Sequence, residues 1–159
     1  MTRALLKGGG LLLLLVATGA GCASMQAKEP TLYERFRAVD GTGTPRQGRD
    51  AIAVVVGHFV ANVVADGRVN VRFKSLKPAE VFKFKSNLSD QICQATGGPC
   101  SYLGKSMKES HTGMKITDAE WNATVEALVK ALDKHKVPAK EKSELLAILG
   151  PLKGDIVGQ

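Results

Sequence analysis

Three histidines, His58, His111 and His135, are the first candidates for chemistry in this sequence of 159 residues. His111 follows Met107 by four residues, so both side chains would lie on one face of a short helical turn. His58 falls inside a predicted long helix and His135 at the end of another, and we interpret both as structural. A single imidazole on a short element that faces an apolar slot can ligate a haem iron. His111 is therefore the candidate ligand, with plain packing as the alternative.

The sequence lacks the residue patterns that other common kinds of functional site require. The sequence has no Gly-x-Ser-x-Gly pattern, no supported Cys/His pair and no phosphate-binding loop. A tetrahedral zinc site needs more ligands than the sequence places together. With 44% apolar residues, the length suits one packed domain. These observations argue against a hydrolase and against a zinc protein.

The first residues resemble a targeting segment. Arg3 and Lys7 precede an apolar run over residues 11–17, which is shorter than the roughly 20 residues that a membrane-spanning helix needs. Small residues then precede Cys22, as in a bacterial lipoprotein signal, although Gly19 replaces the usual aliphatic residue. We expect residues 1–21 to be a signal peptide, Cys22 to carry a lipid, residues 22–30 to be a tether, and the protein to be exported.

The charge balance is basic without being typical of nucleic-acid binding. The chain has 22 basic and 15 acidic side chains, a net charge of +7 that falls to +5 without residues 1–21. The lysines are spread along the chain, and no arginine cluster or base-reading motif accompanies them. We therefore expect a solvated basic surface and no nucleic-acid partner, with attraction to an anionic membrane surface as the next alternative.

Hydrophobic spacing predicts helices and no strands. A buried helix follows Asp50 and ends at Asp66, the next begins at Pro78, and a third follows the capping box Thr117–Glu120. The last begins at Pro138, with a kink expected at Pro151. The irregular stretch 97–116 contains Met107, His111 and Met114, and a connection of that length inside a compact domain suggests function.

One motif resembles a known family. The run from Ala95 to His111, with Gly-Gly-Pro, a tyrosine three residues later, then Met-Lys and His, is similar to the path into the proximal histidine of group 1 truncated haemoglobins. The start Leu-Tyr-Glu-Arg-Phe at Leu32 and the run from Phe59 to Val69 resemble the same family. The resemblance covers residues 31–157 as one truncated globin domain. It implies an all-α, two-over-two helical sandwich around haem b.

The resemblance also implies roles for individual residues. His111 would be the iron ligand, and Phe73 would pack on the haem face. The remaining haem-lining positions would be Phe59, Val60, Phe84, Leu88, Ile92, Tyr102, Met107, Ile116, Trp121, Val125 and Leu128. Since haem burial and core packing are the same kind of contact, ordinary core packing is the alternative for each apolar position.

The distal side departs from the family pattern. Val60 stands where the family often has tyrosine, and Phe84 and Leu88 stand where it often has polar residues. Without a hydrogen-bond donor there, we expect oxygen to be released faster. The segment 74–80 is longer than usual, and a shifted register would bring Lys83, Asn87 or Gln91 inward. Cys93 and Cys100 bracket the Gly-Gly turn, and we expect a buried Cys93 thiol rather than a disulfide.

The expected function is binding of a diatomic gas (oxygen, nitric oxide or carbon monoxide), with a reductase as a further partner and membrane attachment through Cys22. The same iron would also support nitric-oxide dioxygenase or peroxidase-like chemistry, so the sequence leaves enzyme activity open. The alternatives are a haem-free helical lipoprotein that acts as a binding or structural module, and a haem carrier. The fold does not choose between these uses.

Overall fold

A computed structural model describes residues 28–159, so the predicted signal peptide, Cys22 and most of the predicted tether lie outside the described residues. The first element of the described part is the short helix α1 (Leu32–Arg35). Two short antiparallel strands follow, β1 (Arg37–Val39) and β2 (Pro45–Gln47). The prediction of no strands was therefore wrong. The two strands are only three residues each and flank the glycine-rich turn, so neither has the length that would show an alternating pattern.

The long helices follow the predicted order. They are α2 (Gly48–Ala65), α3 (Pro78–Ala95), α5 (Asp118–Lys134) and α6 (Ala139–Leu149). A 3₁₀ turn (Asn70–Arg72) precedes α3, and the single-turn α4 (Met107–His111) lies in the long connection between α3 and α5. A second 3₁₀ turn (Gly150–Leu152) contains Pro151 and separates α6 from α7 (Lys153–Ile156), which confirms the predicted kink.

The core forms where α2 packs against α3 on one side and α5 on the other. Seven residues of α2 are buried. The facing side of α5 contributes Ala123, Ala127 and Ala131, which are at most 3% exposed and recur every four residues. Small side chains at that spacing let two helices approach closely. By length and hydropathy α2 could also cross a membrane, but here its apolar residues form the core.

Helix caps set where the functional elements begin. The hydroxyls of Ser106 and Thr117 accept hydrogen bonds from the N–H groups three residues later, and Glu109 and Glu120 complete the two capping boxes. The helix α2 begins two residues before Asp50, with Gln47 rather than Asp50 at the cap position. Capping boxes satisfy N–H groups that a helix otherwise leaves unpaired. The structure thereby holds α4 and α5 at defined starting points around the long connection.

Candidate functional site

His111 is held in one orientation by its own helix. Its Nδ1 donates a hydrogen bond to the Met107 carbonyl oxygen at 2.7 Å, across one turn of α4. A carbonyl only accepts, so Nδ1 carries the proton and Nε2 keeps its lone pair in the neutral imidazole. The side chain lines a cavity, and Nε2 is the nitrogen left for a ligand role. This is the arrangement of a metal-ligating histidine whose second nitrogen is fixed by a backbone carbonyl.

The cavity beside His111 has a volume of about 630 Å³. Its walls come from α2, α3, α4, α5 and the C-terminal elements, and most side chains that face it are apolar. Such a volume and lining suit a cofactor or drug-sized ligand, since these sites run from roughly 300 to 1,000 Å³. The elements described above therefore meet around one apolar cavity with a single imidazole in its wall.

Twelve of the thirteen residues assigned from the family resemblance line this cavity. The exception is Val60, which is 3% exposed and packs in the core of α2 instead, while its neighbours Val56 and Phe59 reach the cavity. Because each residue turns a helix by about 100°, the side chains of Phe59 and Val60 point in different directions from α2. The residues that line the cavity are Phe59, Phe73, Phe84, Leu88, Ile92, Tyr102, Met107, His111, Ile116, Trp121, Val125 and Leu128.

Several polar residues at the cavity were not predicted as site residues. Asn87 and Gln91 line the α3 wall, whereas Lys83 does not, so the structure brings inward two of the three residues that a shifted register allowed. Their signal was their spacing, since positions 84, 87, 88 and 91 share one face of a helix. Arg72 and Glu120 also line the cavity and form an ion pair at 3.0 Å. The hydrogen bond from the Thr117 N–H is the main reason that the pKa of Glu120 is lowered.

A disulfide fixes the loop between α3 and α4. Cys93 and Cys100 are bonded with their Cα atoms 5.8 Å apart, so the expectation of a free buried thiol was wrong. The turn between them folds tightly: a Cβ on Gly98 would lie 2.6 Å from the Cys93 sulfur. Beyond the bridge, the Tyr102 N–H donates to the Gln94 side-chain oxygen at 2.6 Å. The loop is thereby attached to the end of α3 before it delivers α4 and His111.

The C-terminal residues close the cavity from the other side. Ile116 and Val157 form a parallel bridge, and the Gly158 N–H donates to the Ile116 carbonyl at 2.9 Å. Leu152 and Ile156, just before this bridge, line the cavity. Residues 152–159 therefore belong to the cavity wall and also anchor the connection that follows His111.

The donor set fits haem better than a bare metal ion. Among residues 28–159 no group of three histidine, cysteine, aspartate or glutamate side chains is placed to hold an ion. A haem needs one axial imidazole and apolar walls, because its four other ligands are its own nitrogens. His111 would hold the iron, and Phe73, Phe84 and Trp121 would cover the faces of the ring.

The architecture and this site define a class, the helical haem proteins of the two-over-two globin type. The sequence pattern of the bacterial-like globin family matches residues 47–157. A group 1 truncated hemoglobin, GlbN, of Mycolicibacterium paratuberculosis is 31% identical over 109 residues, which are 69% of this chain and 78% of that protein. A group 1 truncated hemoglobin of Tetrahymena thermophila is 27% identical over 83% of this chain and 98% of its own length.

Solved structures of hemoglobins are also similar to this chain. A variant truncated hemoglobin of Tetrahymena pyriformis has a TM-score of 0.69 and 27% identity, covering 82% of this chain and the whole of that one. The hemoglobin of Chloroflexus aurantiacus has a TM-score of 0.62 and 26% identity, covering 80% of this chain and 98% of that one. The chain belongs to the bacterial-like globins, whose cofactor is haem b. Because solved relatives consist almost entirely of this domain, we expect residues 28–159 to fold on their own.

Proposed function

We propose that this protein binds a diatomic gas, above all oxygen, at a haem b iron ligated by His111. The observation that carries the proposal is the orientation of His111: its Nδ1 proton is held by the Met107 carbonyl, and Nε2 is free in the wall of an apolar cavity. The haem, when bound, supplies reversible coordination of a gas molecule. The residues of this chain supply the orientation of the ligand and the shape of the pocket.

The Met107 carbonyl keeps His111 ready for ligation. Because it accepts the Nδ1 proton, the imidazole stays in the tautomer that presents Nε2 as a base. The Ser106 capping box keeps α4 from unwinding, although α4 is only five residues long. A short helix is marginal by itself, so the cap and the bond from His111 stabilise each other.

The apolar walls determine how a gas is held. The apolar side chains of Phe59, Phe84, Leu88 and Ile92 offer a bound molecule no hydrogen bond. The amides of Asn87 and Gln91 are the donors that α3 places in the wall. We propose that neither amide donates a hydrogen bond to the bound gas. Oxygen is then released quickly, and carbon monoxide, which is less polar when bound, is retained better.

The first test is the visible absorption spectrum of residues 28–159 expressed with haem supplied, compared with His111→Ala and with His58→Ala as the matched control. We expect a Soret band that is lost or shifted in His111→Ala and unchanged in His58→Ala. A folded, helical protein without a Soret band after addition of haem would contradict the proposal and favour the haem-free binding module.

Stopped-flow oxygen dissociation tests the pocket itself. We expect fast release that changes by less than about threefold in Gln91→Leu and Asn87→Leu, since a hydrogen bond of about 1.4 kcal/mol would correspond to tenfold. Slow release that accelerates tenfold or more in either variant would show that an amide does hold the gas, and the apolar distal side would then be wrong.

We also propose that the domain is exported and anchored through Cys22. The support is the sequence alone: the basic start, the short apolar run and the small residues before Cys22. The mass of the mature protein from membranes tests this proposal, because a diacylated and cleaved chain differs from an uncleaved one by a defined amount. Because oxygen binds to ferrous haem, we also propose a reductase partner that keeps the iron in the ferrous form.

A further inference from the structure

The net charge of the described chain is confined to one segment. Residues 69–115, here called the basic segment, hold eight basic and three acidic side chains, a net charge of +5. The remainder of residues 28–159 holds twelve of each and is neutral. The basic segment comprises the 3₁₀ turn, α3, the disulfide loop and α4, and it contributes many of the residues that line the haem cavity. The positive charge therefore has a place in the fold and is not a uniform background.

The lysines of the basic segment have no ionic partners within the described part of the chain. The ion pairs found among residues 28–159 use none of its seven lysines, although Lys142 and Lys153 elsewhere are paired. The nearby acids have other roles, because Glu80 and Glu109 cap helices and Asp90 pairs with Arg49. All of the lysines except the half-buried Lys85 are exposed. They are Lys74, Lys77, Lys83, Lys85, Lys105, Lys108 and Lys115.

The same segment exposes most of the large apolar side chains that lie outside the core. Val71 is 66% exposed, Phe82 75% and Leu103 93%. The one other exposed large apolar residue in the described chain is Val64, at 43%. Phe82 is followed by Lys83, and Leu103 lies two residues before Lys105. Exposed apolar side chains with lysines beside them are typical of protein surfaces that bind the headgroup region of a membrane.

The N-terminal residues of the domain lie next to this segment. The Tyr33 N–H donates to the Thr96 carbonyl at 2.9 Å, and the Thr31 side chain packs against Gly97. The chain thus joins the domain at the turn that leads to Leu103 and Lys105. The proposed lipid-bearing Cys22 lies six residues before residue 28, a stretch that spans at most about 21 Å. If Cys22 holds the protein at a membrane, the basic segment is within reach of the same surface.

We propose that the basic segment is a membrane-contact surface for anionic phospholipids, with its lysines on the headgroups and Phe82 and Leu103 inserted between them. A membrane fits better than an acidic protein because the exposed apolar side chains are single and separated, whereas a protein hot spot clusters them in one packed patch. The encounter with a membrane depends on the proposed export and anchoring. The surface itself does not depend on haem or gas binding.

The test is sedimentation of residues 28–159 with vesicles of phosphatidylglycerol and phosphatidylcholine, and with phosphatidylcholine alone. We expect binding only to the anionic vesicles, weakened at least tenfold between 50 and 500 mM salt. The triple variant Lys83→Gln, Lys105→Gln, Lys108→Gln should bind at least tenfold more weakly. The matched control, Lys130→Gln, Lys134→Gln, Lys140→Gln, removes the same charge from exposed, unpaired lysines outside the basic segment and should bind as the parent does.

A second variant separates insertion from charge. Phe82→Ser with Leu103→Ser should weaken binding in high salt, where the lysines contribute little, and should keep the circular dichroism of the parent. Equal losses in the two lysine triples, or no binding to anionic vesicles, would overturn the proposal. Binding to soluble polyglutamate without binding to vesicles would overturn it in favour of an acidic protein partner. The Soret band reports the gas-binding proposal separately in each sample.

Discussion

The helix pair α2–α5 and the basic segment both line the same cavity but are stabilised differently. The pair contributes twelve of the buried apolar residues, including the fully buried Val63 and Leu132. The basic segment, although it has more residues than the pair, buries only Val69, Ile92 and Cys93 among its apolar residues. Its Phe84 and Leu88 pack against the edge of the core but are only half-buried, because they also face the cavity.

The difference shows which part of the fold depends on the cofactor. Burial of apolar side chains stabilises α2–α5 whether or not haem is bound. The basic segment gains its contacts from whatever fills the cavity, and a ligand that binds only the folded state stabilises it by mass action. We therefore expect the haem-free protein to keep α2–α5 and to be loosest around α3 and α4.

The largest effect tests this division directly. Leu132→Ala, in α5, should lower the free energy of unfolding by about 2–5 kcal/mol with or without haem, because it leaves a cavity in a closed core. Phe84→Ala, on the cavity wall, should lower it by less than about 1 kcal/mol without haem and by more with it. Urea unfolding of the haem-free and haem-loaded forms measures both. Equal losses in the haem-free protein would show that the two sides are stabilised alike.

A smaller effect concerns the disulfide, the one covalent support inside the basic segment. Cys100→Ser should lower stability by about 2–3 kcal/mol, the loss expected for opening so short a loop. It should also speed loss of haem to an acceptor protein, because the loop that carries α4 is released. Ser101→Ala, on the exposed neighbour, is the control. Unchanged haem retention in Cys100→Ser would mean that the Ser106 cap alone holds His111 in place.

The smallest effect is a pH dependence that belongs to the α2–α5 side. His58 lies edge-to-face on His135, with ring centroids 5.2 Å apart, and burial, then His135 and Lys134, lower its pKa from 6.5. The unfolded chain therefore binds a proton first, so stability is unaffected well above pH 6.5 and falls as pH decreases from there through the lowered folded-state pKa. In His58→Gln, the free energy of unfolding should change less between pH 7 and pH 5 than it does in the parent protein, as measured by urea unfolding at each pH. If the free energy of unfolding falls as steeply with decreasing pH in the variant as in the parent, another group causes the acid sensitivity.

Periodicity was enough to predict the long helices, because each has an apolar face, and all of them except α2 have a start that the sequence indicates. Pro78, the Thr117 capping box and the kink at Pro151 all fall where the sequence indicates. The short strands and the disulfide could not be predicted in the same way. Strands of three residues have no period, and the pairing of Cys93 with Cys100 depends on how closely the Gly97–Gly98 turn brings the two Cα atoms together.

Some residues of the candidate site could likewise be predicted from the sequence, and others could not. The spacing of Met107 and His111 predicted that both lie on one helical turn, and the family resemblance predicted most of the residues that line the cavity. Val60 was assigned to the wall by analogy with a longer side chain, but the valine at that position packs into the core instead. Asn87 and Gln91 share a helical face with Phe84 and Leu88. Which face of α3 meets the cavity, however, depends on how α3 packs against α2, and the sequence of α3 alone does not determine this.

The bridge between Ile116 and Val157 has a consequence for the order of events during synthesis. Part of the cavity wall is made by Leu152 and Ile156, and the strap that holds it uses Val157 and Gly158. While these residues are still in the ribosome tunnel, α2, α3 and α4 can form but the pocket has an open side. We therefore expect haem capture to follow completion of the chain. If the protein is exported unfolded, as the proposed signal peptide implies, haem would bind after translocation.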